Sequence, residues 1–366
     1  MEGGQPPKHA VQSGRGGAVA SADEYATRIG LKVLDDGGTA ADAAVATAAA
    51  LGLTEPMMAG VGGGGFFTYY DASTGEVSTI DGRETAPAAA TPSRFVKPDG
   101  TAMDWDDARV SGMSVGVPGT VATWQRALDR WGSFSLRRVL EPAARLAERG
   151  FTVDATFRGD IDYNKDVFAQ FTSSRDLYLP GGALPEVGST FRNPDLARTY
   201  RILGKEGPAA LYAGEIGADV VKAVTHLPLA SDRPDLGGSL RPGDMTAADL
   251  AAYTVRDLDP THVKYKGYDV YGMGVPSSGG VAVGQTLGMM SSLPRKAPSV
   301  DVKHRLLEAS ALAFADRNRY MGGDTTSDVV EGLLDRSYVK QRGALIDPAK
   351  AAPKPVAPAH HSPHRL

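Results

Sequence analysis

Arg83 and Glu84 stand side by side just after a strand-like run, Glu76–Asp81, and just before Pro87. A guanidinium presents a planar fork of donors that grips a carboxylate in two places. An arginine fixed at a strand end is therefore a candidate carboxylate clamp, with Asp81 and Glu84 as its acidic neighbours. Upstream lies an unbroken glycine run, Gly62, Gly63, Gly64 and Gly65, a residue type that lets two backbones approach closely. Phe66–Asp71 and Glu76–Asp81, joined by a polar turn at Ser73–Gly75, read as a hairpin between the two features. Together they suggest a carboxylate-recognition site on a sheet edge. The plainer alternatives are a surface ion pair for Arg83–Glu84 and a tight helix-to-strand turn for the glycines. Residues 60–65 also match the letters G-x-G-x-x-G. A dinucleotide site needs a strand before that motif and a helix after it; here the order is reversed, which excludes that reading.

Few other residues have a context that implies chemistry. The chain has no cysteine, which excludes disulfides, thiolate metal sites and a cysteine nucleophile. None of the seven histidines sits in a hydrolase or metalloprotease motif. His360, His361 and His364 fall in a Pro/Ala-rich tail without carboxylates, a poor metal site. Pro276–Gly280 reads as a turn whose serines cap a helix. In His304–Gly322, Leu306, Leu307, Ala311, Phe314 and Ala315 suggest a core face, with Glu308, Asp316 and Arg317 ion-paired or solvated. Nothing calls for a cofactor or a metal, and the residues alone describe recognition without a nucleophile.

The elements that would position Arg83 follow from the pattern of apolar residues. The 366 residues, 42% hydrophobic and 22% charged, suffice for a large core. A net charge of −4 gives no reason to expect nucleic acid as a partner. The most apolar stretch, Ala40–Leu53, is too short to span a membrane, which takes about 20 residues. Residues 1–15 read as a disordered lead-in, 16–347 as the folded part and 348–366 as a disordered or extended Pro/Ala-rich tail. Gly17–Ala22 suggests a first buried strand. Helices are expected over Asp23–Asp36, over Ala40–Leu53 behind a Thr39 cap, and from Pro118 to Trp131. Leu136–Arg149 contains Pro142, which either kinks the helix or marks its start. Residues 88–117 look like loop and short strand, and 152–192 have no clear pattern. Further helices are expected over Asp195–Lys205, Gly214–His226, a short one capped by Thr246 and Asp249, Val281–Ser291, Val302–Met321 and Asp335–Ile346. Thr261–Lys266 and Tyr268–Met273 read as strands, and Leu227–Gly243 as a loop. Helices outnumbering clustered strands implies helices layered on a sheet.

Several of these stretches, taken together, resemble the gamma-glutamyltransferases (glutathione hydrolases). They are GGTAADAAVATAAALGLTEP at 37–56, the glycine run into Phe66, DGRETAP at 81–87, EPAARLAERGF at 141–151, YDVYGMGVPSSGG at 268–280 and the 304–322 helix. They occur in the family's order, and DGRETAP and the YYDA segment look like actinobacterial members. The resemblance implies an α+β fold, the αββα sandwich of N-terminal-nucleophile hydrolases, incomplete in this chain. It implies a precursor that cuts itself into a large and a small subunit, the latter beginning with a threonine. That hydroxyl attacks the γ-glutamyl carbonyl with its own α-amine as base, and water, an amino acid or a peptide resolves the intermediate. Glutathione and related γ-glutamyl compounds are the implied substrates, the location extracellular or periplasmic, and Arg83 the clamp for the substrate's α-carboxylate.

The chain departs from the family at the cleavage point, where a T-T-H-x-S/T-V-like sequence is expected and none occurs. Thr325–Thr326 is followed by Ser327–Asp328. The expectation is a large subunit, inactive until paired, with a broad exposed apolar surface for its partner. A catalytically dead binding or scaffold protein is the alternative. A related acylase of the same fold is a third reading, against which Arg83 argues.

Overall fold

The computed structural model describes residues 13–233, 240–294 and 296–359. Most of the lead-in expected over 1–15, residues 234–239 of the 227–243 loop and the tail histidines therefore lie outside the described residues.

Gly17–Ala22 forms no strand. It is mostly exposed coil, because its alanines and glycine carry little side chain to bury and Val19, beside Gly30, is its one half-buried apolar side chain. Helix α1, Glu24–Asp35, starts where the Asp23 carboxylate accepts from the Ala26 N–H. Helix α2, Ala40–Thr54, opens with a full capping box between Thr39 and Asp42, which satisfies two end N–H groups at once. It is buried on nearly every face, as its alanine content suggests. Strands β1, Gly65–Asp71, and β2, Glu76–Gly82, follow. The stretch read as loop contains helix α3, Trp105–Val110, whose Asp104 cap is its signal.

Helix α4 spans Thr120–Trp131. Helix α5 runs unbroken over Leu136–Arg149 from a Ser135 cap, with Pro142 inside it. Residues 151–191 resolve into β3, Phe151–Thr152, α6, Ala155–Phe168, α7, Thr172–Tyr178, and β4, Thr190–Phe191. Here aromatic packing supplies the order that periodicity lacks: Phe151, Phe157 and Phe191 meet with ring centroids 4.8–5.7 Å apart. Then come α8, Pro194–Glu206, α9, Ala209–Tyr212, α10, Glu215–Thr225, and α11, Ala247–Ala251, the last with the Thr246–Asp249 capping box expected for it.

Strands β5, Arg256–Leu258, β6, Thr261–Tyr265, and β7, Tyr268–Gly272, lead to helices α12, Gly279–Met290, α13, Ser299–Tyr320, α14, Ser327–Leu334, and α15, Arg336–Gly343. The three-stranded sheet has the order β1-β2-β5, and β6-β7 is a separate hairpin. β2 is thus the central strand, not an edge: Arg83 lies beyond the end of a paired strand.

The chain divides into two compact units. The first comprises the chain up to Gly65 together with Gly82–Val255 and is mostly helical. The second comprises Phe66–Asp81 and Arg256–Leu366. In the first, α2 is the central buried helix, and Asp42 does more than face the helix dipole. Its fully buried carboxylate also accepts from the Ser133 and Phe134 N–H groups at 3.0 and 3.1 Å and from the Ser133 hydroxyl at 2.9 Å. Burial alone would raise its pKa, but these donors and the Thr39 N–H outweigh it and hold the carboxyl below its ordinary value.

In the second unit, α13 packs on α12 and α15 with a face opposite to the expected one. Its buried residues are Glu308, Ala309, Leu312, Ala313 and Asp316, while Leu306, Leu307 and Phe314 are exposed. The two acids are ion-paired as expected, but inside the core. Asp316 accepts from the Tyr338 hydroxyl and Arg342 Nε, both at 2.9 Å, and from the Ala359 N–H at 3.1 Å. Glu308 accepts from Lys354 Nζ at 2.8 Å and the Ala352 N–H at 3.1 Å. Both carboxylates thereby tie down residues 352–359, which form neither helix nor strand and contribute Val356 to its core cluster.

Candidate functional site

The surroundings of Arg83 within the first unit are built almost entirely from backbone. The carbonyl of Gly63 accepts from the N–H groups of Gly119 and Thr120, at 2.9 and 3.1 Å, at the start of α4. Gly64 then lies directly on the chain that carries the arginine. A Cβ there would stand 2.5 Å from the Gly82 carbonyl oxygen, 2.9 Å from the Glu84 nitrogen and 3.1 Å from the Arg83 carbonyl carbon. Gly119 presses on the same segment from α4: its Cβ would sit 2.0 Å from the Gly82 oxygen and 2.1 Å from the Tyr253 hydroxyl. Only glycine fits at either position.

The segment is held by hydrogen bonds as well. Tyr253 donates its hydroxyl to the Arg83 carbonyl at 2.8 Å, and its ring stacks on Tyr212 at 5.6 Å. Tyr212 in turn donates to the Pro118 carbonyl at 2.9 Å, and burial pushes its phenol pKa well up. On the far side Thr85 and Val117 exchange a pair of backbone bonds, the shorter 2.8 Å long. The Arg83 backbone is therefore fixed from below, from α4 and from the α11 side. Its side chain is 61% exposed, with Nε donating to Glu84 Oε2 at 3.1 Å. A planar cation on an immobile backbone, steered by a neighbouring carboxylate and reachable from solvent, can receive a carboxylate ligand.

The structure brings together Arg83, Glu84, Gly63 and Gly64. It does not give Gly62 and Gly65 the same part, since a Cβ at either would meet nothing within 4 Å. Asp81, buried in the other unit, has its carboxylate ion-paired with Arg256 of β5. The residues missed by sequence reasoning are Gly119, Tyr253 and Tyr212. The first had a signal, a glycine after Pro118 before a helix. The tyrosines had none, because their role depends on contacts some 90 and 170 positions apart.

The Pro276–Gly280 turn departs from its expected role. Ser278 occupies the cap position of α12 but makes no capping bond; its hydroxyl accepts from Arg317 Nε at 3.0 Å. No cluster of three or more histidine, aspartate or glutamate side chains able to hold a metal occurs among the described residues.

This mixed helix-and-sheet architecture is that of the N-terminal-nucleophile hydrolases. The model of the gamma-glutamyltranspeptidase family matches residues 26–365, and the chain belongs to that family. It is 36% identical to the glutathione hydrolase proenzyme of Bacillus subtilis strain 168, over 97% of this chain and 60% of the relative. It is also 34% identical to the acylase ACY 1 proenzyme of Pseudomonas sp. strain SE83, over 93% of this chain and 60% of that one. Among solved structures, the gamma-glutamyltranspeptidase of Helicobacter pylori superposes with a TM-score of 0.86 at 30% identity, covering 94% of this chain and 95% of the matched one. The chain thus spans about 60% of the length of the curated relatives it matches.

Proposed function

We propose that this chain is the large-subunit portion of an enzyme that cleaves or transfers the γ-glutamyl group of glutathione and related compounds. Arg83 binds the α-carboxylate of that group, and Glu84 aims the guanidinium. The attacking threonine is supplied by a small subunit of the same precursor, so the chain is inactive by itself. Water, an amino acid or a peptide then accepts the γ-glutamyl group, outside the cytoplasm. The observation that carries this reading is the immobilised backbone under an accessible Arg83, because a clamp must hold its fork in one place to gain from a bidentate contact.

Family membership supports the reaction class, and an apolar surface supports the missing partner. Val300, Leu307 and Phe314 recur every seven residues on α13 and are 70%, 68% and 56% exposed, a stripe that an unpaired surface helix would not carry. We assign this stripe to the small subunit.

The similarity to an acylase proenzyme favours one second reading, an acylase acting on a different acyl group. An acyl group without an α-carboxylate would gain nothing from Arg83. Release of a chromogenic amine from a γ-glutamyl anilide, measured with and without a co-produced small subunit, tests the proposal. Activity only in the pair is the expected result. No activity in the pair on any γ-glutamyl donor would instead favour a scaffold role, and activity confined to other acyl anilides would favour the acylase.

A further inference from the structure

We infer that the groove between α1 and α5 is a binding site for a small amphipathic carboxylate, separate from Arg83. The groove encloses 580 Å³ within the first unit, inside the range of about 300–1,000 Å³ typical of small-molecule sites. Its floor is apolar: Ile29 and Val33 from α1 and Pro142 and Leu146 from α5, with Tyr25 and Phe134 also lining it. Pro142 lies inside α5, and its lack of an N–H removes one bond of the helix.

Charge accounting around the rim gives the ligand its sign. The lining cations are Arg28, Lys32, Arg137, Arg138 and Arg145, and the lining acids are Asp36 and Glu141. Asp36 is taken up by Lys32. Glu141 lies between Arg145 and, from α8, Arg201, at 3.7 and 3.9 Å. Arg28 pairs with Glu24 one turn back. That leaves Arg137 and Arg138 with no carboxylate partner among the described residues. The Arg138 guanidinium carbon lies over the Phe134 ring, 3.3 Å from its centroid, and Nη2 donates to the Asp36 carbonyl at 3.5 Å. Stacking of this kind orients the fork while leaving its edge available to an anion. Two arginines without a carboxylate partner, lining the same groove as an apolar floor, match a ligand with one acidic head and an apolar body of alkyl or aryl type. A purely ionic ligand would leave the floor uncovered, and a neutral one would leave the arginines unmatched.

The probe is decanoate, titrated below its micelle-forming concentration into the full chain and followed by calorimetry. Decanol, decyltrimethylammonium and phosphatidylglycerol vesicles serve as comparison ligands. Saturable one-to-one binding of decanoate is expected, with decanol and the ammonium at least about tenfold weaker, a difference of about 1.4 kcal/mol. Arg137→Ala/Arg138→Ala should weaken decanoate by about tenfold or more, and Arg137→Lys/Arg138→Lys by less. Leu146→Glu should abolish binding, and thermal unfolding checks that each variant is folded. Because the arginines are exposed, their replacement leaves the fold intact. Equal affinity for decanoate and decanol, an unweakened double alanine variant, or binding to vesicles but not to free decanoate would each overturn the assignment.

Discussion

The Gly64→Ala substitution tests whether the glycine run serves the Arg83 segment or merely turns the chain. The added methyl would stand 2.5 Å from the Gly82 oxygen, roughly 0.8 Å inside an ordinary C···O contact of about 3.3 Å. All three of its nearest neighbours are backbone atoms, so no side chain can swing away and the Gly82–Glu84 segment itself must move. Overpacking of this kind costs about 1–3 kcal/mol. The unfolded chain loses freedom when glycine becomes alanine, which returns about 0.4–1 kcal/mol, and the net expectation is a loss of about 1–2 kcal/mol. Gly62→Ala and Gly65→Ala have open space and should be neutral or slightly stabilised. Trp105, Trp124 and Trp131 are the chain's three tryptophans and all lie in the same unit as Gly64, so urea unfolding followed by tryptophan fluorescence reports on the right region. At an m-value of about 2–3 kcal/mol/M, the Gly64→Ala midpoint should fall by roughly 0.5 M relative to both controls. A midpoint for Gly64→Ala equal to that of Gly65→Ala would refute the close-packing argument. In an assembled enzyme the same variant should also raise KM for γ-glutamyl donors, because the shift carries the arginine with it.

Arg83→Ala should raise KM for a γ-glutamyl anilide in the assembled pair by roughly thirtyfold. That corresponds to about 2 kcal/mol, the low end for a lost charged contact because the site is half open; Arg83→Lys should recover only part of it. Asp42→Asn should destabilise by about 1.5–3 kcal/mol in urea unfolding, since it weakens hydrogen bonds to a charged acceptor. The folded-state pKa of Asp42 is depressed, so its contribution is complete above the unfolded value near 4 and fades as pH falls through the folded one. Wild-type stability should therefore drop on acidification more steeply than that of the asparagine variant. Asp316→Ala strands the buried Arg342 and should cost about 3–5 kcal/mol, with amide exchange in residues 352–359 accelerated first. Leu307→Glu/Phe314→Glu should leave the unfolding free energy of the chain unchanged within about 0.5 kcal/mol yet prevent co-purification with a small subunit.

Elements with strong local signals were legible in the residues. The starts of α2 and α11 follow caps at Thr39 and Thr246, because a cap is a contact within a few residues and leaves its mark in sequence; the start of α5, left open by Pro142, is set by the Ser135 cap. The β1–β2 hairpin and the separate strands β6 and β7 were legible because their patterns are also local. Gly17–Ala22 failed because a strand exists only through a partner, and six small residues do not specify one. The 152–192 region failed in the other direction: its order comes from aromatic rings brought together by α6, β3 and β4. At the site, Arg83 and its glycine neighbours were visible as types and spacing. That Gly64 but not Gly62 or Gly65 bears the contact, and that Tyr253 holds the Arg83 carbonyl, are facts of packing.

Helix α13 shows why an apolar stripe can point the wrong way. Leu306, Leu307 and Phe314 are the natural choice for a core face, and its acids for solvent. The fold reverses both. Glu308 and Asp316 go inside because Lys354, Arg342, Tyr338 and two backbone N–H groups meet them there, which removes the penalty that normally keeps carboxylates out. Leu306, Leu307 and Phe314 stay outside at a cost that the unit does not recover by itself, since each fully exposed leucine or phenylalanine forgoes about 1.5–3 kcal/mol of burial. On the proposed reading, a helix with paired acids inward and an apolar stripe outward is buried twice, once by its own unit and once by the small subunit. Periodicity along one chain reports the sum of those two burials and cannot separate them. Leu307→Glu/Phe314→Glu separates them by experiment: a loss of chain stability would mean the stripe belongs to this unit's own core, and a loss of partner binding alone would mean it belongs to an interface.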